Sequence, residues 1–246
     1  MKIVASKKAK TRFLLFVTLF TILGTLATGS AVISKRMAVD ASIQNTSFQT
    51  VIIDAGHGGP DGGTSADDGT LEKEINLQIA LKLDEILRSM GIKTVMVRTE
   101  DISIHDGTAK TIRQKKVSDI KNRLKIINET ENSIFVSIHQ NHFSDSKYSG
   151  TQVFYSKNNP LSNKLAESIR LPIISYLQTD NTRETKQSGT EIYLLYHAKS
   201  PAVMVECGFL SNQNETNNLK DEKYQQKIAF LISLGIVDYF KTTEEL

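Results

Sequence analysis

Two histidines and two glutamates stand where chemistry explains them better than packing does. His57 lies in Asp54-Ala55-Gly56-His57-Gly58-Gly59, directly after the apolar run Val51-Ile52-Ile53. Glycines on both sides let the backbone turn sharply and leave room around an imidazole. His139 closes a second run, Ser133-Ile134-Phe135-Val136-Ser137-Ile138, and Glu206 closes a third, Ala202-Val203-Met204-Val205. Open α/β sheets bind ligands beyond the carboxyl ends of their strands, where all three residues are expected. Glu72 joins them by helical geometry. Advancing about 100° per residue from Ile75, the residues Ile79, Leu83 and Ile86 fall within about 80° on one face, and Glu72 falls at about 60°, inside that stripe. A carboxylate aimed at the core side is costly unless paired or bound to a metal. Compensation of the helix dipole is the alternative, and it suits the outward Glu74 better.

Two imidazoles and one carboxylate leave a fourth tetrahedral position for water, the ligand set of a hydrolytic zinc site. A separate glutamate, Glu206, then suits a general base that takes the water's proton and passes it to a leaving nitrogen. The competing reading of Glu206 is a salt bridge to Arg123 or a lysine. His142, three residues after His139, is the rival ligand if a turn at Asn141 brings both inward. His105 lies in a turn-like loop where it can touch substrate, and His197 in a polar connection is expected in solvent. The single cysteine, Cys207, reads as a small buried residue rather than a nucleophile.

The elements that must position these groups alternate. Strands are expected at 51–53, 94–97, 133–138, 150–155 and 202–205. Helices are expected at 72–90, closed by Gly91; at 119–129, capped by Asp119 or Ser118; at 160–177, containing Pro172; and at 223–240. This pattern predicts a single α/β domain over 49–241, with a twisted, mostly parallel or mixed sheet flanked by helices on both faces. Residues 101–118 and 211–222 read as polar loops, the first long enough to form a lid over the site.

Of 246 residues, 39% are hydrophobic and 23% charged, which excludes wholesale disorder. One cysteine excludes an intrachain disulfide framework and a C-x-x-C zinc knuckle. The net charge of +3 arises at the N-terminus, where residues 1–36 hold seven bases and no acid. The remainder is mildly acidic and gives no support for a nucleic-acid partner. Five bases precede the uncharged stretch Phe13–Ile33, whose 21 residues match the ~20 needed to cross a bilayer. Residues 1–36 therefore read as a signal peptide or membrane anchor that exports the rest, and 37–48 as a tether.

The same residues carry a family likeness. The chain resembles the zinc-dependent N-acetylmuramoyl-L-alanine amidases of bacterial cell-wall remodelling (amidase type 3). The matching segments are Val51-Ile52-Ile53-Asp54-Ala55-Gly56-His57-Gly58-Gly59-Pro60-Asp61-Gly62-Gly63, Glu72-Lys73-Glu74-Ile75-Asn76-Leu77, Val136-Ser137-Ile138-His139-Gln140-Asn141 and Pro201 through Asn212, in the family's order. The resemblance implies that His57, Glu72 and His139 bind one Zn2+ and that Glu206 is catalytic. It implies a peptidoglycan substrate, glycan strands with stem peptides, cut at the amide between the lactyl group of N-acetylmuramic acid and L-alanine. Arg98, Arg123 and Asn141 stand near positions expected to contact substrate. Ile127 stands where alanine is common, Val97 where threonine is, and the 101–118 segment is long for the family. With one catalytic domain and a short tether, the chain looks most like the germination-specific spore-cortex amidases. That likeness implies action in the cortex space or wall, an N-terminal contact with membrane, an accessory protein, and a muramic-acid deacetylase that completes muramic-δ-lactam. A non-catalytic or partner-dependent wall-binding module is the alternative, and a zinc carboxypeptidase, which would release free amino acids, is a third reading.

Overall fold

The computed structural model describes residues 50–243. The expected signal or anchor segment and the tether lie outside the described residues. Among the described residues, no helix is long and apolar enough to cross a membrane. The chain runs β1 (Thr50–Ala55), α1 (Glu72–Ser89), β2 (Lys93–Met96), α2 (Ile112–Glu129), β3 (Ser133–Asn141), β4 (Gln152–Tyr155), α3 (Leu161–Tyr176), β5 (Lys186–Gln187), α4 (Tyr193–His197), β6 (Ala202–Phe209), α5 (Gln213–Lys220) and α6 (Glu222–Thr243).

The strands form one six-stranded sheet in the order β2-β1-β3-β6-β4-β5. The first four are parallel, and β4 runs antiparallel to β6, so the sheet is mixed. The three apolar runs of the sequence become its central strands, β1, β3 and β6. Covered on both faces, they need no polar alternation. Helices α1 and α3 both pack against α6 on one side. Helices α2 and α4 close the other side over a cluster that includes Ile52, Phe135, Met204, Ile127 and Leu195.

Register decides what this second face presents. Asp54 pairs with Ser137, His139 with Glu206, and Glu206 with Gln152. Directly paired residues project to the same face, and alternate residues along a strand share it. Phe135, Ser137 and His139 therefore rise on the face of Ala202, Met204 and Glu206. An apolar floor thus gives way to a polar row toward the strands' carboxyl ends.

Several elements differ from expectation. Helix α2 starts at Ile112, seven residues before Asp119, because Thr111 and Gln114 form a capping box. The expected 101–118 loop is therefore helical in its second half. Its first turns expose Ile112 and Val117, so they carry no apolar stripe to read. The expected loop 211–222 contains α5, capped by the Asn212 side chain. Strands β3 and β6 outrun their apolar runs, so His139 and Glu206 lie inside strands rather than at their ends.

Candidate active site

The turn after β1 is held open by two buried arginines. His57 has φ 62°, a left-handed conformation that costs a non-glycine residue energy unless its surroundings impose it. Arg123 Nη2 donates to the His57 carbonyl at 2.6 Å, and Arg123 Nη1 to that of Ala55 at 2.9 Å. Arg98 donates from Nε to the Ala55 carbonyl at 2.8 Å and from Nη2 to that of Gly56 at 3.0 Å. Both arginines are nearly fully buried, at 2% and 3% exposed. Arg123 is neutralised by Asp54 and by Asp119, 2.6 Å away. Burial opposes ionisation of Asp54, but the Arg123 guanidinium and the Ser137 hydroxyl hold its carboxyl below the usual range. Removing one member of such a buried pair costs about 3–5 kcal/mol.

Glu72, the first residue of α1, is 3% exposed and accepts from every side. Thr64 N–H donates to Oε2 at 2.8 Å, Gln140 N–H to Oε1 at 3.1 Å, and Asn76 Nδ2 to Oε1 at 3.2 Å. The imidazole atoms His139 Nδ1 and His57 Nε2 lie 2.9 and 3.2 Å from its two oxygens. Burial would raise the Glu72 pKa, yet the bonds to His139 and His57 hold it well below the carboxylate range. Burial would lower that of His57. Its hydrogen bonds to Asp61 and Glu72 win and push it up to about 9. One ligand-type atom each from His57, Glu72 and His139 lies within 4.8 Å of the others. The hydrogen-bonding atoms of this cluster are therefore the atoms that a small divalent cation would take over, displacing protons from the imidazoles.

This donor set fits zinc: two imidazoles and a carboxylate, part-buried, with supporting partners already in place. Asp61 Oδ2 lies 2.9 Å from His57 Nδ1, which fixes the ring with Nε2 inward. Asn76 ties Glu72 to the Gly56 carbonyl and, through Oδ1, to Gln140. Sequence reading missed Asp61 and Asn76. Each stands four residues beyond a ligand candidate, and for Asn76 that places it one helical turn along the same face.

Glu206 sits beside the cluster with a different character. Its Oε2 is cut off from solvent and has no hydrogen-bond partner among the described residues. Burial, reinforced by Glu72, pushes its carboxyl up to about 7 against the pull of His139 and His57. Arg123 is committed to Asp54 and Asp119, so the salt-bridge reading of Glu206 gives way. An unpaired carboxyl poised near neutrality suits proton transfer.

The remaining candidates are dispersed. His142 is exposed and outside the three-residue group, which overturns the rival-ligand reading. His105 Nδ1 lies 2.9 Å from the Ser103 hydroxyl, and His197 is exposed among tyrosines. Cys207 is fully buried and burial pushes its thiol up, as a packing residue requires. Asn141 Oδ1 accepts from the His142 N–H and its side chain borders a second groove.

Residues 51–238 match the N-acetylmuramoyl-L-alanine amidase family. The chain belongs to that family. It is 34% identical over 194 residues to the germination-specific N-acetylmuramoyl-L-alanine amidase of Bacillus subtilis, covering 79% of this chain and 81% of that one. Among solved structures it is similar to the CwlD amidase from Clostridioides difficile in complex with the GerS lipoprotein, at 43% identity and a TM-score of 0.76, over 79% of this chain and 99% of that one. It is also similar to the amidase AmiC2 of Nostoc punctiforme, at 28% identity and a TM-score of 0.67, over 78% and 97% of the two chains. The chain is thus a hydrolase of the cell-wall amidase class.

A glycine makes the cluster possible. A Cβ built on Gly56 would lie 2.2 Å from His139 Nε2, so any side chain there must displace the imidazole. A divalent cation held by this cluster should bind about 10–100-fold more weakly in Gly56→Ala, the usual cost of disturbing a metal site's support. Metal titration of the folded variant checks this, and unchanged affinity would show that the ring is free to move.

Proposed function

We propose that this chain hydrolyses the amide between the lactyl group of N-acetylmuramic acid and the L-alanine of the stem peptide, with His57, Glu72 and His139 holding one zinc ion and Glu206 as general base. One juxtaposition carries the reading: three ligand-type atoms within 4.8 Å beside a buried carboxyl oxygen that has no partner among the described residues. Zinc at such a site lowers the pKa of water toward ~7 and polarises a carbonyl. The chain's own residues do the rest. Glu206 accepts the proton of the attacking water and hands it to the leaving nitrogen. Asp61 and Asn76 keep His57 and Glu72 in their orientations. Arg98 and Arg123 act as positioning residues for the 54–59 turn: Arg98 donates to the carbonyls of Ala55, Gly56, Lys73 and Glu100, and Arg123 to those of Ala55 and His57 and to the carboxylates of Asp54 and Asp119.

The likeness to the Bacillus subtilis germination-specific enzyme supports a role in germination. The proposal takes spore cortex, outside the cytoplasmic membrane, as the substrate, and a deacetylase that completes muramic-δ-lactam as the next step. The GerS complex of the Clostridioides difficile relative supports an accessory protein as partner. Export through residues 1–36 completes the proposal.

Mass spectrometry of peptidoglycan fragments after incubation with zinc-loaded protein tests the bond assignment. Intact stem peptides with free L-alanine amino groups are expected. Free amino acids alone would indicate a carboxypeptidase instead.

A further inference from the structure

The two residues paired with Glu206 across the sheet, His139 and Gln152, each line a groove. Toward α2 and α4 lies a cavity of about 290 Å³ that contains His57 and His139. Toward β4 and β5 lies another, of about 390 Å³. Register makes the second a direct neighbour of the site, since Gln152 on β4 pairs with Glu206 and Lys186 on β5 pairs with Phe154. Paired residues share a face, so Gln152, Phe154 and Lys186 continue the row that holds His139 and Glu206.

The chemistry of the two grooves differs. The first is walled by Asp61, Asp119 and Glu191 as well as Lys116 and Arg123. The second holds Arg183 and Lys186 and, among the described residues, no acidic one. Among the described residues neither cation has a carboxylate partner within ion-pair distance. Arg183 is nonetheless held in place. Its guanidinium lies over Phe209 at 4.8 Å and over Tyr148 at 5.7 Å, and its Nε donates to the Ser149 carbonyl. At the groove's floor, Gln152 is 2% exposed. Its Nε2 donates to the Glu184 carbonyl, while its Oε1 is buried with no partner among the described residues. An orphaned amide oxygen in a family member's groove calls for a donor from outside.

The two halves of the scissile amide differ in the same way. The muramyl half has its lactyl carboxyl tied up in the amide and is uncharged, whereas the peptide half carries free carboxylates beyond its L-alanine. We infer that the β4–β5 groove is the leaving-group subsite, in which Arg183 and Lys186 bind a stem-peptide carboxylate and Gln152 Oε1 accepts a peptide N–H. The opposite groove then takes the sugar. This rests on the amide-hydrolysis reading and adds a basis for selecting the peptide.

The test uses zinc-loaded full-length protein and two synthetic muramyl peptides, one with a free carboxylate on the residue after L-alanine and one with that group as a carboxamide. Wild type is expected to prefer the acid. Arg183→Gln and Lys186→Gln are each expected to lose about 10–100-fold in kcat/KM on the acid, the scale of one charge-assisted hydrogen bond, and less than about 3-fold on the carboxamide. Lys186 is exposed on an edge strand, so its variant keeps the fold even if Arg183→Gln does not. Equal losses on both substrates, or none on either, would overturn the assignment. If wild type cleaves neither, the amidase reading is at fault, and calorimetry with the free acidic peptide judges the groove alone: binding weakened in Lys186→Gln sustains it, and unchanged or absent binding sinks it.

Discussion

Glu206→Gln is expected to keep zinc and lose about 10²–10⁴-fold in kcat, the range that general acid–base groups supply. The substitution is nearly isosteric and replaces a carboxyl whose Oε2 has no partner among the described residues, so little structural change accompanies it. The pH profile carries a second signature. A base works only when deprotonated, so wild-type kcat/KM should fall tenfold per unit on the acid side of the Glu206 pKa. Burial pushes that value up to about 7, and a divalent cation in the adjacent cluster pulls it down, so the midpoint should be no higher than about 7. In the Gln variant this limb should vanish. Metal content by mass spectrometry and pH–rate measurements check both. A variant with normal metal, substantial turnover and the same limb would remove Glu206 from the proton-transfer step.

How far the sequence disclosed this site can be judged residue by residue. His57 and His139 were legible because each stands just beyond a largely apolar run, and buried strands leave such runs. Glu72 was legible from the angle it makes with Ile75, Ile79 and Leu83, which the structure buries on the same helix. The supporting residues were not. Asp54 looks like an ordinary strand-ending turn residue until Arg123 is seen against it, 69 positions away, and no periodicity reports a partner at that separation. Gln152 is a polar residue at the start of a short strand; only the antiparallel register puts it next to Glu206. The start of α2 was hidden for another reason. Its first two turns face solvent, so a capping box, rather than hydrophobicity, marks them.

Glu72→Gln is expected to fail differently from Glu206→Gln, and the contrast separates the two acidic roles. Glu72 accepts hydrogen bonds from Thr64, Gln140 and Asn76 while facing both imidazoles. An amide cannot reproduce this, since one of its two ends is a donor pointed at donors. The negative charge that offsets a divalent cation is also gone. Zinc affinity should therefore fall by more than the roughly 10–100-fold expected when a supporting residue is lost. Activity should fall with it at ordinary zinc concentrations and recover partly when zinc is raised, because Glu206 is still in place. Excess zinc should do nothing for Glu206→Gln. Titrating activity against free zinc for both variants decides the matter. If neither variant recovers, or both recover alike, then ligand and base have been assigned to the wrong carboxylates.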